Sequence, residues 1–112
     1  PTSIYKVVED LITWYEGKDR CEAMGCILAE PKSEQEFNAI KAVLPPGWFW
    51  IGITEQNHKE RYTYYTDDQD IVYNSVVVTT ASENYNCVDM YSDNFVWYAY
   101  GCDAQDDGAI CE

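Results

Sequence analysis

The spacing of apolar residues in the first half of the chain predicts two helices. Thr13 is followed three residues later by Glu16, a pairing that caps helix N-termini, so we expect a helix over residues 13–24. A second helix is expected to start at Ser33, because apolar residues then recur at helical spacing until a Pro-Pro-Gly sequence stops it at Pro45.

Short runs of β-branched and aromatic residues, separated by polar turns, make up most of the remaining chain. Such runs are typical of short strands. Strands or extended segments are expected at residues 4–8, 27–29, 49–53, 61–65, 71–73, 76–78, 86–90, 95–100 and 109–111. Because the helices come first and most of the strands follow, the order predicts an α+β fold with a mainly antiparallel sheet. A length of 112 residues predicts one domain over residues 1–112.

The charge of the chain disfavours two large classes of partner. Twenty acidic against seven basic residues give a formal net charge of −13. Nucleic acids and anionic membranes are poor partners for such a chain, because binding them requires Lys or Arg to neutralise phosphates. No apolar run approaches the ~20 residues needed to cross a bilayer, so we expect no membrane insertion. No apolar segment with a basic flank opens the chain, so we expect that any signal peptide has already been removed.

Five cysteines in a chain of this length indicate disulfide bonds and an oxidising compartment, and therefore a secreted or extracellular protein. A structural zinc site is disfavoured, because no two cysteines form a C-x2-C pair and His58 is the only histidine. The odd number leaves one thiol over, and spacing alone leaves the pairing open. The cysteines are Cys21, Cys26, Cys87, Cys102 and Cys111.

The chain carries none of the common catalytic motifs. It has no G-x-S-x-G, no H-E-x-x-H, no P-loop and no dinucleotide-binding glycine pattern. His58 lies in a polar Asn-His-Lys turn, where an imidazole is usually solvated. We therefore expect that the protein is not an enzyme.

Five segments, in order along nearly the whole chain, resemble the C-type lectin-like domain of the C-type lectin superfamily. They are Cys21 to Gly25, Leu28 to Glu34, Trp50 to Gly52, Asn86 to Val88 and Ala109 to Glu112. The short form of the family is indicated, since the extra N-terminal cysteine pair is missing. The resemblance implies a C-type lectin-like fold in which two helices flank antiparallel sheets, with a shortened long-loop region.

The resemblance also implies a disulfide pairing, Cys21 with Cys111 and Cys87 with Cys102. Cys26 is then the cysteine left over. Two uses of Cys26 stay open at this point. It is either a buried free thiol that behaves as a small hydrophobe, or an interchain disulfide that links a homodimer or heterodimer.

The sequence departs from the family at the calcium-dependent sugar site, where side-chain oxygens hold the cation. Trp97 lies five residues before Cys102, as the tryptophan of the family's W-N-D motif does. However, Tyr98 and Ala99 replace the Asn and Asp of that motif. Tyr85 stands where an acid is usual, and no E-P-N or Q-P-D triplet precedes it. We therefore expect no calcium at this site, and no other cofactor.

Other acidic groups are weaker candidates for binding calcium. Glu55 and Glu60 fall near the position where some members of the family bind an auxiliary calcium, but Lys59 lies between them. Two acid-rich stretches are expected to bind calcium only weakly, as any acidic loop can. They contain Asp67, Asp68 and Asp70, and Asp103, Asp106 and Asp107.

Aromatic side chains stand where the calcium ligands are lost. The candidate ligand-binding residues are Tyr85, Asn86, Tyr98 and Tyr100, since tyrosine suits protein interfaces and sugar stacking alike. The leading hypothesis is a secreted recognition module that binds a protein or glycan surface without calcium. Two alternatives stay open: an acidic matrix or mineral-associated structural protein that acts through bulk charge, and a calcium-dependent, carbohydrate-binding lectin with atypical ligands.

Overall fold

A seven-stranded sheet and two helices form the part of the chain that the computed structural model describes, which is residues 5–71, 74, 76–78, 85–105 and 107–112. The helices are α1 (Trp14–Ala23) and α2 (Glu34–Val43). The strands are β1 (Lys6–Ile12), β2 (Trp48–Thr54), β3 (Thr63–Tyr64), β4 (Val76–Val78), β5 (Asn86–Tyr91), β6 (Trp97–Gly101) and β7 (Asp107–Cys111). The predicted α+β class, with its two helices, is confirmed.

The sheet is mixed rather than wholly antiparallel. Its strand order is β1-β7-β2-β5-β6-β4, and β3 pairs with β2 outside this path. The pairings β1–β7, β2–β3, β2–β5 and β5–β6 are antiparallel. The pairings β2–β7 and β4–β6 are parallel. Parallel pairs join strands that long connections separate in sequence, so local turn signals give no indication of them.

Helix α1 begins as the sequence predicts. The Thr13 hydroxyl oxygen accepts a hydrogen bond from the Glu16 backbone N–H at 3.1 Å, and the Glu16 carboxylate accepts one from the Thr13 N–H at 3.0 Å. This reciprocal pair satisfies two N–H groups that the helix itself cannot. Helix α2 forms only half of this arrangement, in which the Ser33 hydroxyl accepts from the Glu36 N–H at 3.1 Å.

Several predicted strand bounds are wrong. Strand β1 runs on to Ile12, because it pairs along its length with β7. The segment predicted as a half-exposed strand over residues 61–65 is only Thr63–Tyr64, and both residues are buried. Strand β6 starts at Trp97, because Phe95 has a φ of +58°, which a strand does not accommodate. In residues 27–29, Leu28 forms an isolated bridge to Cys111. Residues 72 and 73 of the predicted 71–73 run lie outside the described residues.

The two faces of the sheet carry separate apolar clusters, because successive side chains of a strand point to opposite faces. One cluster includes Trp14 and Cys21 of α1 together with Trp50. The other includes Phe37 and Ile40 of α2 together with residues of β2, β5, β6 and β7. Each helix therefore covers its own face of the sheet.

Two disulfide bonds lie in the cluster on the α1 face. The Cys21–Cys111 bond ties α1 to β7 across 90 residues of sequence, and the Cys87–Cys102 bond ties β5 to the residue after β6. These are the two pairs that the resemblance implies. Cys26 forms no disulfide, is half-buried, and its thiol donates to the Met24 carbonyl oxygen at 3.6 Å.

Two carboxyl groups are buried together on the α1 face of the sheet. Asp89 of β5 and Asp107 of β7 are both almost inaccessible to solvent, and their side chains are hydrogen-bonded to each other. Burial, followed by the bond to Asp107 and its charge, raises the pKa of Asp89 far above the usual range. The pair therefore holds a proton at neutral pH. The expectation that Asp107 belongs to an exposed acidic loop is wrong, since it lies inside β7.

The shared proton makes the stability of the fold depend on pH in a defined direction. Below about pH 4 the folded and unfolded chains both hold the proton; above it only the unfolded chain releases it, so the pair lowers stability as the pH rises. We expect Asp89→Asn, which cannot ionise, to raise the free energy of unfolding at pH 7 by about 1–3 kcal/mol. The gain should disappear near pH 4.

Urea unfolding of both proteins at pH 4 and pH 7 measures this effect. Asp19→Asn, at an exposed aspartate of α1, is the matched control and should change stability by less than ~0.5 kcal/mol at either pH. A loss of stability in Asp89→Asn at pH 7 would contradict the shared-proton assignment.

Candidate functional site

The register of β5 and β6 decides which of the predicted site residues reach the surface. Tyr98 pairs with Asp89, and Tyr100 pairs with Cys87, so both tyrosines lie on the α1 face of the sheet. Trp97 and Ala99 alternate with them and are fully buried on the opposite face. Trp97 is thus a core residue, and Tyr100 is 37% exposed.

Asn86 does not join this surface. It is 3% exposed, and its backbone N–H donates to the Glu55 carboxylate at 2.7 Å. Its side chain is hydrogen-bonded to Tyr62. Asn86, which we expected to contact a ligand beside Tyr98, is therefore buried, because β5 turns its first side chain into the interior.

Tyr98 belongs to a cluster that sequence reasoning did not identify. Trp48 of β2 stacks on Tyr91 of β5, its direct cross-strand partner, with ring centroids 4.3 Å apart and ring planes at 16°. The Trp48 and Tyr98 centroids lie 5.3 Å apart. We call Trp48, Tyr91 and Tyr98 the aromatic platform. Trp48 is 39% exposed. The cluster depends on the pairing of Trp48, the first residue of β2, with Tyr91, the last residue of β5, and only this long-range contact would have revealed the cluster.

Polar side chains of the β5–β6 turn hold the platform in place. The Tyr91 hydroxyl donates to the Asp93 carboxylate at 2.9 Å, which raises the pKa of Tyr91. The Asn94 side-chain amide donates to the Tyr98 hydroxyl oxygen at 3.0 Å. Ser92 ties the turn to the residue before Trp48, since its hydroxyl accepts from the Gly47 N–H at 2.8 Å. The rings are therefore oriented before any ligand arrives.

Tyr85 lies at a different corner of the molecule, next to a buried carboxylate. Glu55, the residue after β2, is 1% exposed. One of its oxygens accepts from the Glu60 N–H at 2.7 Å; the other accepts from the Asn86 N–H at 2.7 Å and from the Lys59 ammonium at 3.1 Å. The Lys59 nitrogen also lies 5.7 Å from the centroid of the exposed Tyr85 ring. A lysine of the chain thus supplies the positive charge at this carboxylate.

The hydrogen bonds keep Glu55 ionised despite its burial. Burial alone would raise its pKa, but the N–H groups of Glu60 and Asn86 and the ammonium of Lys59 together bring the pKa below its usual value. The charge is therefore stable at neutral pH. Breaking this set of bonds would leave a buried anion without compensation.

The described residues do not fit a calcium ion at the family's sugar site. Tyr85 and Tyr98 each offer one phenol oxygen, and Ala99 offers only a methyl group. The Asn86 side chain is turned inward. Calcium requires six to eight oxygen ligands, most of them carboxylates and carbonyls. Within the described ranges, no group of three or more His, Cys, Asp or Glu side chains is arranged to hold a metal.

The acidic loop after β3 is neutralised from within the fold. Two of its carboxylates form ion pairs, Asp67 with Lys32 at 3.1 Å and Asp70 with Arg61 at 2.6 Å. The third, Asp68, is hydrogen-bonded to the His58 ring at 2.9 Å. The Asp68 carboxylate also accepts from the Asn57 and Thr63 side chains. The loop is therefore an ion-pair network rather than an open set of calcium ligands.

The His58–Asp68 pair is not part of a recognisable catalytic arrangement. Nucleophilic catalysis requires a hydroxyl or thiol in hydrogen-bond reach of the imidazole. Among the described residues, no Ser, Thr or Cys side chain forms a hydrogen bond with His58; the Thr63 hydroxyl donates to Asp68 instead. The geometry supports a structural role for this histidine.

Neither helix in the described portion of the chain is long and apolar enough to span a bilayer; each has ten residues.

Comparison with known proteins points to one family. The family model described as "Lectin C-type domain" matches residues 10–112. Mouse lymphocyte antigen 75 is 26% identical over 111 residues, which are 97% of this chain but 6% of that protein. The chain therefore spans only a small fraction of the length of that relative.

Solved structures of C-type lectin domains share the fold. The cow C-type carbohydrate-recognition domain of CD23, solved in the presence of a GlcNAc2Man3 oligosaccharide, superposes with a TM-score of 0.82 at 21% identity; the match covers 96% of this chain and 84% of that one. A calcium-independent type II antifreeze protein superposes with a TM-score of 0.78 at 22% identity, and the match covers 96% and 82%.

The ammonium at Glu55 makes a testable contribution to stability. We expect Lys59→Met to lower the free energy of unfolding by about 1 kcal/mol at pH 7, a value reduced by solvent screening because the Lys59 side chain is half-exposed. The pKa of Glu55 is lowered on folding, so this contribution exists above about pH 4.5 and is lost as the pH falls further.

Chemical unfolding at pH 7 and pH 3 checks the sign. Lys18→Met removes an i,i+4 ion pair of the same spacing, but both partners, Lys18 and Glu22, are substantially exposed, so the loss should stay below ~0.5 kcal/mol. Equal losses in Lys59→Met and Lys18→Met would show that the Lys59 ammonium is not needed at Glu55.

Proposed function

The chain belongs to the C-type lectin domain family, and from this we propose that it is an extracellular recognition module that binds a protein or glycan surface without calcium. The observation that carries the proposal is the aromatic platform. Trp48, Tyr91 and Tyr98 lie together at the surface of the sheet, and the β5–β6 turn holds them in fixed orientations. Rigid aromatic groups with polar tips give contact area at low entropic cost.

The binding surface extends beyond the platform along β6. Tyr100 follows Tyr98 by two residues on the same face, and strand geometry puts the two about 7 Å apart. Tyr85, the residue before β5, is 45% exposed and makes a peripheral contact with the ligand in this proposal. Of the four residues predicted from the sequence, the tyrosines stay in the proposed surface and Asn86 leaves it.

Two features support independence from calcium: Tyr98 and Ala99 at the ligand positions of the family's sugar site, and the lysine at Glu55. In this chain the carboxylate that follows β2 is neutralised by Lys59, so the start of β5 is held in place by hydrogen bonds and an internal ammonium. A divalent cation is not required for this part of the fold to carry a compensated charge. We propose that binding therefore proceeds equally in calcium and in chelator.

An extracellular location and the absence of catalysis complete the proposal. Two disulfide bonds lie in the apolar cluster on the α1 face, an arrangement that persists in oxidising compartments. The histidine pairs with Asp68 and contacts no described nucleophile. The function is thus one of binding alone.

Cys26 gives a prediction about assembly. It is half-buried and its thiol is hydrogen-bonded to Met24, so we expect a free thiol and a monomer under both reducing and non-reducing electrophoresis. A dimer band that appears only without reductant, and that Cys26→Ser abolishes, would support the alternative of an interchain disulfide.

Binding to arrays tests the proposed function. The full chain would be applied to immobilised glycans and extracellular protein domains, once with 5 mM EDTA and once with 5 mM CaCl2. We expect the same positive spots in both, and Tyr98→Ala and Tyr100→Ala should each weaken binding at least ~5-fold, as interface tyrosines do.

Tyr15→Ala is the matched control, since Tyr15 is an exposed tyrosine on α1, away from β6. Its binding should match that of the unmodified chain. Spots that vanish in EDTA would support a calcium-dependent lectin and overturn the proposal. Binding unchanged in both tyrosine variants would overturn the assignment of the surface.

A further inference from the structure

The charges around the aromatic platform narrow the class of ligand. Residues 62–112, which include all of β5 and β6 and the turn between them, contain no Lys or Arg. Asp93, in the turn beside the platform, is exposed and accepts the hydroxyl hydrogen of Tyr91. An exposed carboxylate with no basic side chain on either strand disfavours anionic ligands at the platform and favours cationic ones.

Most of the basic residues already contact acidic or aromatic side chains of the fold. Five of the seven form ion pairs within the fold: Lys18, Arg20, Lys32, Lys59 and Arg61. Lys41 lies over the rings of Phe37 and Phe95. The negative charge of the platform side is therefore not compensated by a basic side chain of β5 or β6.

Aromatic rings and lysines already pair in this protein. Ammonium groups lie 4.3–5.7 Å from the ring centroids of Tyr64, Phe37, Phe95 and Tyr85. Within the described residues, no such contact involves the platform, although an indole ring binds cations best. The exposed part of Trp48 is thus an aromatic face that a cation of another molecule can reach.

We propose that the aromatic platform binds a basic protein segment in extended conformation, with arginine side chains packed on Trp48 and along Tyr98 and Tyr100. This inference rests on the proposed function and names the partner class. Arginine is favoured over lysine because its planar guanidinium stacks on aromatic rings and is less strongly hydrated. Alternate side chains of an extended segment repeat at about 7 Å, which matches the spacing of Tyr98 and Tyr100 along β6.

A peptide titration tests the inference. The probe is an eight-residue peptide of alternating arginine and glycine, titrated into the 15N-labelled chain while the indole N–H signals are followed at 20 mM and 300 mM NaCl. We expect the Trp48 signal to shift at low salt, and the affinity to fall several-fold at high salt. Trp48→Ala should weaken binding at least ~10-fold, and Asp93→Asn about 3-fold.

Controls separate a specific site from bulk attraction. Trp48→Leu keeps an apolar side chain without a π face, so it should lose affinity as Trp48→Ala does even if the latter is less stable. Tyr15→Ala should bind as the unmodified chain does. A peptide with four arginines followed by four glycines, and spermine, should both bind more weakly than the alternating peptide.

The inference is overturned if the alternating peptide does not bind at 20 mM NaCl, if Trp48→Leu binds it unchanged, or if spermine binds as tightly. In those cases the proposed function still stands whenever the array spots remain sensitive to Tyr98→Ala, since the surface then binds a ligand of another class. If the array spots are insensitive to both tyrosine variants, the proposed function itself is wrong.

Discussion

The buried carboxylate of Glu55 is the interaction on which the binding side of this molecule depends. An anion that is 1% exposed is tolerated only when it is hydrogen-bonded and paired. Here two backbone N–H groups and the Lys59 ammonium meet both conditions. One of those N–H groups is that of Asn86, the first residue of β5, so the carboxylate fixes where β5 begins relative to β2. The Lys59 ammonium thus supplies the positive charge where β2 meets β5.

The start of β5 in turn determines which side chains of β5 and β6 reach the surface. The side-chain period of a strand is two, so a slip of one residue would exchange the buried and exposed sets. With Asn86 held at Glu55, Val88 and Met90 point into the α2 side, and Asp89 and Tyr91 point to the other. Strand β6 follows the same register and exposes Tyr98 and Tyr100. The Asp89–Asp107 pair lies beneath this face, and its shared proton leaves it with one negative charge rather than two.

The sequence was most informative where the deciding contacts are local. The N-caps at Thr13 and Ser33 could be inferred because each capping bond joins residues three apart in sequence. That Tyr98 and Ala99 occupy the family's calcium-ligand positions follows from their spacing to Cys102. The residues that were misplaced depend on contacts between distant parts of the chain. Asn86 was expected at the surface, but a carboxylate 31 residues earlier holds it inside. Trp48 was missed because its partners, Tyr91 and Tyr98, come more than 40 residues later.

Thermal unfolding with and without calcium measures most directly whether the Lys59 ammonium takes the place of a divalent cation in this protein. The midpoint would be recorded in 1 mM EDTA, in 10 mM CaCl2 and in 10 mM MgCl2, the last as a control for general screening of an acidic chain. We expect the calcium and magnesium midpoints to agree within about 1 °C. A site with a dissociation constant of ~0.1 mM would add about 2.7 kcal/mol in calcium, which raises the midpoint by several degrees. Such a calcium-specific rise would contradict the account.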